Sequence, residues 1–151
     1  MTERIQISSA LPGAFAAFVA TSKEVTKAGL SAGLDEKLVE LVKIRASQLN
    51  ACAFCLDMHI EDAIGLGEDQ RRLHLLAAWR ETDLYSEQER AALELTETLT
   101  RLSETRDLPD DVYTLATKVL TEAQYQAVVW LIVVINGFNR LAVPARPALP
   151  A

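Results

Sequence analysis

Apolar residues recur at steps of three and four along most of this chain, a spacing that is typical of one face of an α-helix. Between residues 34 and 49, for example, the apolar positions include Leu34, Leu38, Leu41 and Leu49. Alternating runs of β-branched residues, the pattern of a strand, are scarce, whereas Ala, Leu, Glu and Arg dominate. The length of 151 residues is usual for one domain. We therefore predict a single all-α domain.

Helix caps, prolines and glycines divide the chain into about six to seven predicted helices. The expected starts lie at Pro12, Asp35, Asn50, Glu68, Ser86, Pro109 and Thr121. Three of the five prolines stand among small residues in the last eight positions, a composition typical of an extended or disordered tail. We assign residues 1–143 to the helical domain and residues 144–151 to this tail.

The last predicted helix contains an uninterrupted apolar run at residues 127–135. This run is roughly half of the apolar length that a membrane span needs, so we expect no membrane insertion. Its β-branched content also suits a buried strand, but the cap at Thr121 and the glutamine-rich lead-in predict a helix. A helix that is apolar all round must be covered on every side. We expect part of that cover to come from another subunit, in a homo-oligomer.

The charge of the chain excludes one class of partner. The formal net charge is -6 and the isoelectric point is near 4.9, with basic residues scattered among acidic ones. Nucleic acid is held by clustered Lys and Arg, so we expect no nucleic-acid partner. No signal peptide is evident, and we expect a cytoplasmic protein. In that reducing compartment a close cysteine pair is more often catalytic or metal-binding than structural.

The two cysteines of the chain, Cys52 and Cys55, are followed by His59. On a helix these three residues share one face, because they are separated by three, four and seven positions. Two thiols this close can form a disulfide, the imidazole can move protons, and the positive end of the helix dipole favours thiolate. A carboxylate is the usual partner of such a histidine, and Glu40 on the preceding helix is the candidate.

This set of residues resembles a known family. Glu40, Ser47, Cys52, Cys55 and His59 match the core motif of the AhpD-like alkylhydroperoxidases, within the carboxymuconolactone decarboxylase-like superfamily. The segments at residues 76–80 and 85–93 resemble the same family more loosely. The resemblance implies an all-helical fold, assembly into trimers or hexamers, and an oxidoreductase of the peroxidase type with antioxidant activity.

In such proteins the downstream cysteine, here Cys55, reacts with the hydroperoxide, and the upstream one, here Cys52, resolves it as a redox-active disulfide. The resemblance assigns a proton relay to His59 and Glu40, and implies no other cofactor and no metal. It also implies re-reduction by a dithiol such as a lipoyl carrier protein, and in some members transfer of electrons to a peroxiredoxin. The best-known members carry a histidine between the cysteines, where this chain has Phe54.

Other interpretations of the motif remain open. Cys52, Cys55 and His59 with either His74 or Glu40 could supply four zinc ligands, although one helix is a poor frame for a tetrahedral site. A decarboxylase of the same superfamily would act on a cyclic lactone acid and would not depend on the cysteine pair. A non-enzymatic redox sensor would be oxidised once, without turnover.

Overall fold

The computed structural model of the chain describes residues 2–149, and every regular element in that range is helical. In chain order the elements are α1 (Pro12–Ser31), α2 (Glu36–Leu49), α3 (Ala53–Gly65), α4 (Gln70–Leu75), a 3₁₀ helix (Leu76–Glu81), α5 (Glu87–Thr100), α6 (Leu102–Thr105), α7 (Asp110–Val119) and α8 (Glu122–Ala145). The predicted all-α fold is confirmed. Residues 2–149 contain eight α-helices instead of the predicted six to seven, because the segment after Ser86 divides into α5 and α6. The segment after Asp69 divides as well, into α4 and the 3₁₀ helix.

Side-chain caps begin three of the long helices where the sequence predicts them. The Asp35 carboxylate accepts the backbone N–H of Lys37 at 2.8 Å and opens α2. Ser86 opens α5 and Thr121 opens α8, each through a capping box that satisfies two backbone donors. These starts are predictable because a cap and its helix lie within four residues of each other.

Other boundaries differ from the prediction. The Asp69 side chain, rather than Glu68, caps α4, and the helical geometry breaks at Ala78 inside the following 3₁₀ helix. At the other end of the chain, α8 continues through Pro144 to Ala145, two residues beyond the predicted start of the tail. The N-terminal arm explains this extension, because Arg4 and Gln6 donate hydrogen bonds to the Pro144 and Ala145 carbonyls that the helix end leaves free. Residues 150 and 151 of the predicted tail lie outside the described residues.

Helix α8 packs against α1, α2 and α5. It is long and apolar enough to cross a membrane by length and composition alone. Its inner face, however, is covered by the protein, and the buried Asn139 donates a hydrogen bond to Ser47 of α2. On its outer face Trp130 and Val133 are 54% and 52% exposed. The predicted helix is confirmed. Its outer face is not covered by the rest of the described chain, and the homo-oligomer that would cover it stays a prediction.

Candidate active site

A tight turn joins α2 to α3 and sets the position of the cysteines. Asn50 was the predicted cap of α3, but it ends α2 instead, with its N–H on the carbonyl of Ala46. Its side-chain amide donates to Asn136 and Asn139 of α8 at 3.0 and 2.8 Å, so the side chain of Asn50 contacts α8, and α3 begins only at Ala53. Ala51 then adopts a left-handed φ of 52°, and the chain reverses direction.

Cys52 is the actual N-cap of α3. Its sulfur accepts the backbone N–H of Cys55 at 3.4 Å, and the two cysteines are joined as a disulfide with their Cα atoms 5.4 Å apart. Both side chains are buried. Cys55, within the first turn of α3, faces the positive end of the helix dipole, which favours a thiolate in the reduced protein.

His59 and Glu40 meet between α3 and α2. The Nδ1 atom of His59 lies 2.8 Å from Oε2 of Glu40, and the ammonium group of Lys43 lies 2.6 Å from Oε1. Burial alone would raise the pKa of Glu40, but the hydrogen bond from His59 and the charge of Lys43 outweigh it and lower that pKa. An ionised carboxylate only accepts hydrogen bonds, so Nδ1 carries the proton. In neutral His59 this leaves Nε2 as a proton acceptor, one helical turn from Cys55.

The cluster contains two further residues that the sequence motif does not include. Lys43 stands three positions after Glu40, and Asp62 three positions after His59, with its Oδ2 3.8 Å from the His59 Nδ1. That spacing places both on the same helix faces as the predicted pair and was the available signal. Ligand-type atoms of Glu40, His59 and Asp62 lie within 4.8 Å of one another. A metal cation there would meet the ammonium of Lys43, which disfavours it by like-charge repulsion.

The four-ligand zinc sets considered from the sequence are not assembled among residues 2–149. The sulfurs of Cys52 and Cys55 are bonded to each other, so neither is free as a thiolate ligand. His74 is exposed on α4, and the cluster of ligand-type atoms around His59 does not include it.

A cavity of about 480 Å³ opens beside Cys55 and His59. Its walls come from α1, α3 and α8 and are mostly apolar, the main members being Phe15, Val19, Phe54, Met58, Val134, Ile135, Phe138 and Leu141. Cys55 lines this cavity and Cys52 does not. Phe54, between the two cysteines, contributes an aromatic wall. The site therefore presents one sulfur and one imidazole to an apolar chamber.

Comparison with known proteins places the sequence in a family. The sequence profile of the carboxymuconolactone decarboxylase family matches residues 12–98, more than half of the chain. The uncharacterized protein YdfG of Bacillus subtilis is 46% identical over 104 residues, which cover 69% of this chain and 70% of that protein.

Solved structures share the fold. A protein of unknown function from Agrobacterium tumefaciens, described as a candidate antioxidant defence protein AhpD, superposes with a TM-score of 0.89 at 35% identity over 99% of both chains. The debrominase Bmp8 superposes with a TM-score of 0.80 at 16% identity, over 95% of this chain and 74% of that one, and supports the fold alone. By its sequence and its structure the chain belongs to the carboxymuconolactone decarboxylase family, as one of the AhpD-like proteins.

Proposed function

We propose that this protein is a thiol-dependent alkylhydroperoxide reductase with Cys55 as the peroxide-reactive cysteine and Cys52 as the resolving one. One observation carries the assignment: Cys55, not Cys52, lines the apolar cavity, and His59 lines it too. A lone buried cysteine pair would need neither a cavity nor a histidine held by an ionised carboxylate. The AhpD-like structural relative at 35% identity points to the same chemistry.

The proposed first step oxidises Cys55. Its thiolate attacks the terminal oxygen of the hydroperoxide, the O–O bond breaks, and the alkoxide leaves with a proton delivered through His59. Cys55 is now a sulfenic acid. The Cys52 thiol attacks the sulfenic sulfur, an S–S bond forms and water leaves. Two thiols have supplied the two electrons that convert the hydroperoxide into an alcohol and water, and Glu40 keeps His59 oriented throughout.

The disulfide must then be reduced for turnover. A dithiol donor, such as a dihydrolipoyl group on a carrier protein, would exchange with it and leave as its own disulfide. Onward transfer to a peroxiredoxin uses the same exchange chemistry. A reducing cytoplasm is the compartment that supplies such donors. The exposed Trp130 and Val133 on α8 support a homo-oligomer, a trimer or hexamer, in which this face is covered.

The test follows the masses of the reduced protein and of two variants after one equivalent of cumene hydroperoxide. Wild type should lose two hydrogens and join Cys52 to Cys55. Cys52→Ser should gain one oxygen at Cys55, and Cys55→Ser should consume no peroxide. An undiminished rate in Cys55→Ser would overturn the assignment.

Steady-state turnover separates the remaining interpretations. With dihydrolipoamide in excess, an enzyme consumes many equivalents of peroxide, whereas a redox sensor is oxidised once. A decarboxylase would release carbon dioxide from a lactone acid equally well in Cys52→Ser and Cys55→Ser. Stoichiometric zinc in the reduced protein, with thiols that do not react, would make the motif a metal site.

A further inference from the structure

The cavity beside Cys55 carries positive charge and no negative charge. Among the described residues that line it, the side chains with a full charge are Lys23 and Lys43. The chain as a whole has a formal net charge of -6, so a chamber with only cations in its wall departs from the average surface. Local charge of this kind raises the concentration of an oppositely charged ligand.

The two lysines differ in how their charge is used. Lys43 pairs with Glu40 at 2.6 Å, which neutralises it, although an ammonium group has three donors and keeps others for a ligand. Lys23, on α1, forms no ion pair with any residue from 2 to 149. Apart from the Cys55 thiolate proposed for the reduced protein, Lys23 therefore leaves about one uncompensated positive charge in the cavity wall, which matches a ligand with a single negative charge.

The lining of the cavity includes a long stretch of α8. Its wall on α8 extends from Leu131 to Ala145, which is ~21 Å along the helix at ~1.5 Å per residue. Val134, Ile135 and Phe138 between these ends make that wall apolar. The volume of about 480 Å³ lies within the usual range for a pocket that encloses one small organic molecule. An apolar wall of this length suits an extended hydrocarbon chain better than a compact ligand.

We propose that this cavity selects hydroperoxides of long-chain monocarboxylic acids. The hydrocarbon chain lies along α8, the carboxylate is held by Lys23 with a further donor from Lys43, and the peroxide group meets Cys55. The inference rests on the proposed peroxidase function, because it names the substrate of the same site. The reaction balances as before: the two thiols of Cys52 and Cys55 convert the acid hydroperoxide into a hydroxy acid and water, and a dithiol reduces the disulfide.

The first test compares linoleic acid hydroperoxide with its methyl ester, both below their micelle concentrations. Lys23 is exposed, so wild type should have a kcat/KM for the acid up to about fivefold above that for the ester, the factor that corresponds to one charge contact at an exposed ammonium group. Lys23→Met should remove about this factor from the acid and leave the ester unchanged. Lys27→Met, an exposed lysine of α1 outside the cavity, should change neither. An acid-to-ester ratio near one in wild type, or a ratio unaltered by Lys23→Met, would overturn the proposal.

The second test separates this inference from the peroxidase function. In this test, unoxidised linoleate and methyl linoleate compete with a fluorescent fatty-acid probe for binding to the Cys55→Ser variant. The measurement does not depend on peroxide turnover. Preferential binding of linoleate to this variant, together with no hydroperoxide turnover by the wild type, would remove the function and keep the ligand class. Turnover of cumene hydroperoxide without any linoleate binding would keep the function and remove the ligand class. Equal action on phosphatidylcholine hydroperoxide vesicles, whose acyl chains carry no free carboxylate, would also contradict the selection of free acids.

Discussion

The imidazole of His59 is tied to the carboxylate of Glu40 by a 2.8 Å hydrogen bond, although 19 residues separate the two along the chain. The bond joins α3 to α2 and is buried, so water competes with it little. Lys43 holds the other carboxylate oxygen. This arrangement keeps Glu40 ionised and fixes which nitrogen of His59 carries the proton, the two conditions that a proton relay to Cys55 requires.

Replacing Glu40 with Gln keeps the shape of the side chain and removes the charge that stabilises a protonated His59. We expect peroxide turnover to fall by about 10²-fold, the lower end of what general acid–base catalysis contributes. The variant should still fold, with a lower melting temperature, because the lowered pKa of Glu40 means that its charge stabilises the protein. Asp62→Asn is the matched control, because Asp62 is exposed and lies farther away, at 3.8 Å. A turnover rate in the Gln variant equal to that of the control would remove Glu40 from the relay.

Replacing Lys43 with Met should move the pH profile of Cys55 alkylation to higher pH. Removal of a positive charge makes every neighbouring proton bind more tightly, so the pKa of Glu40 rises and thiolate forms less readily. The charged groups that face His59 are Glu40, Lys43 and, at the surface, Asp62. Lys43→Arg keeps the charge and should restore the profile. The measurement is the iodoacetamide rate of the reduced protein against pH, and coincident profiles for both variants and wild type would contradict the prediction.

Glu97 is the buried acceptor on which three donors converge. Arg45 and Trp79 donate to its Oε1 at 2.8 and 2.9 Å, and Arg80 donates to Oε2 at 2.7 Å. Glu97→Ala leaves the buried Arg45 without its partner, so we expect the free energy of unfolding to fall by about 3–5 kcal/mol. Glu94→Ala breaks only a pair with the exposed Arg80 and should cost less than about 1 kcal/mol. Urea denaturation measures the free energy of unfolding of both variants, and equal losses in the two would contradict this prediction.

The lowered pKa of Glu97 predicts how the stability of the protein depends on pH. Burial alone would raise the pKa of Glu97, but the hydrogen bonds from Arg80, Trp79 and Arg45 outweigh it and lower that pKa. The stability that ionised Glu97 contributes is therefore fully present above the ordinary pKa of a glutamate, and it is lost as the pH falls through the lowered pKa of Glu97. Wild type should lose more stability on acidification than Glu97→Gln does. Parallel stability curves for the two proteins would argue against this linkage.

Gly137 lies where α8 meets α1. A Cβ at this position would press on the ring of Phe18, with Cε1 only 3.0 Å away. Phe18 packs against Phe138 of the cavity wall, with ring centroids 4.5 Å apart. Gly137→Ala should destabilise the protein by about 1–3 kcal/mol through overpacking. Gly13→Ala, where nothing lies within 4 Å, should be neutral or slightly stabilising, and thermal unfolding of both variants would decide.

The sequence by itself determined the helical class, five of the seven predicted helix starts, and the helix face that carries Cys55 and His59. Cys52, predicted on the same face, lies before α3 as its N-cap, in an extended conformation. The correctly predicted features all depend on interactions within a few residues, such as caps and the helical period, so they can be recognised locally. The family motif belongs to the same kind of information, because it is a short pattern of residue types.

Only the tertiary structure decided what surrounds that face. Asn50 has the residue type of a helix cap, but in the structure its amide donates a hydrogen bond to Asn139 of α8, 89 residues along the chain. The packing of α1 and α8 against α3 decides which cysteine faces the cavity. It also places Lys23 in the same cavity as Cys55. Such contacts join residues far apart in the chain, and their geometry is set by the packing of whole helices rather than by any local pattern.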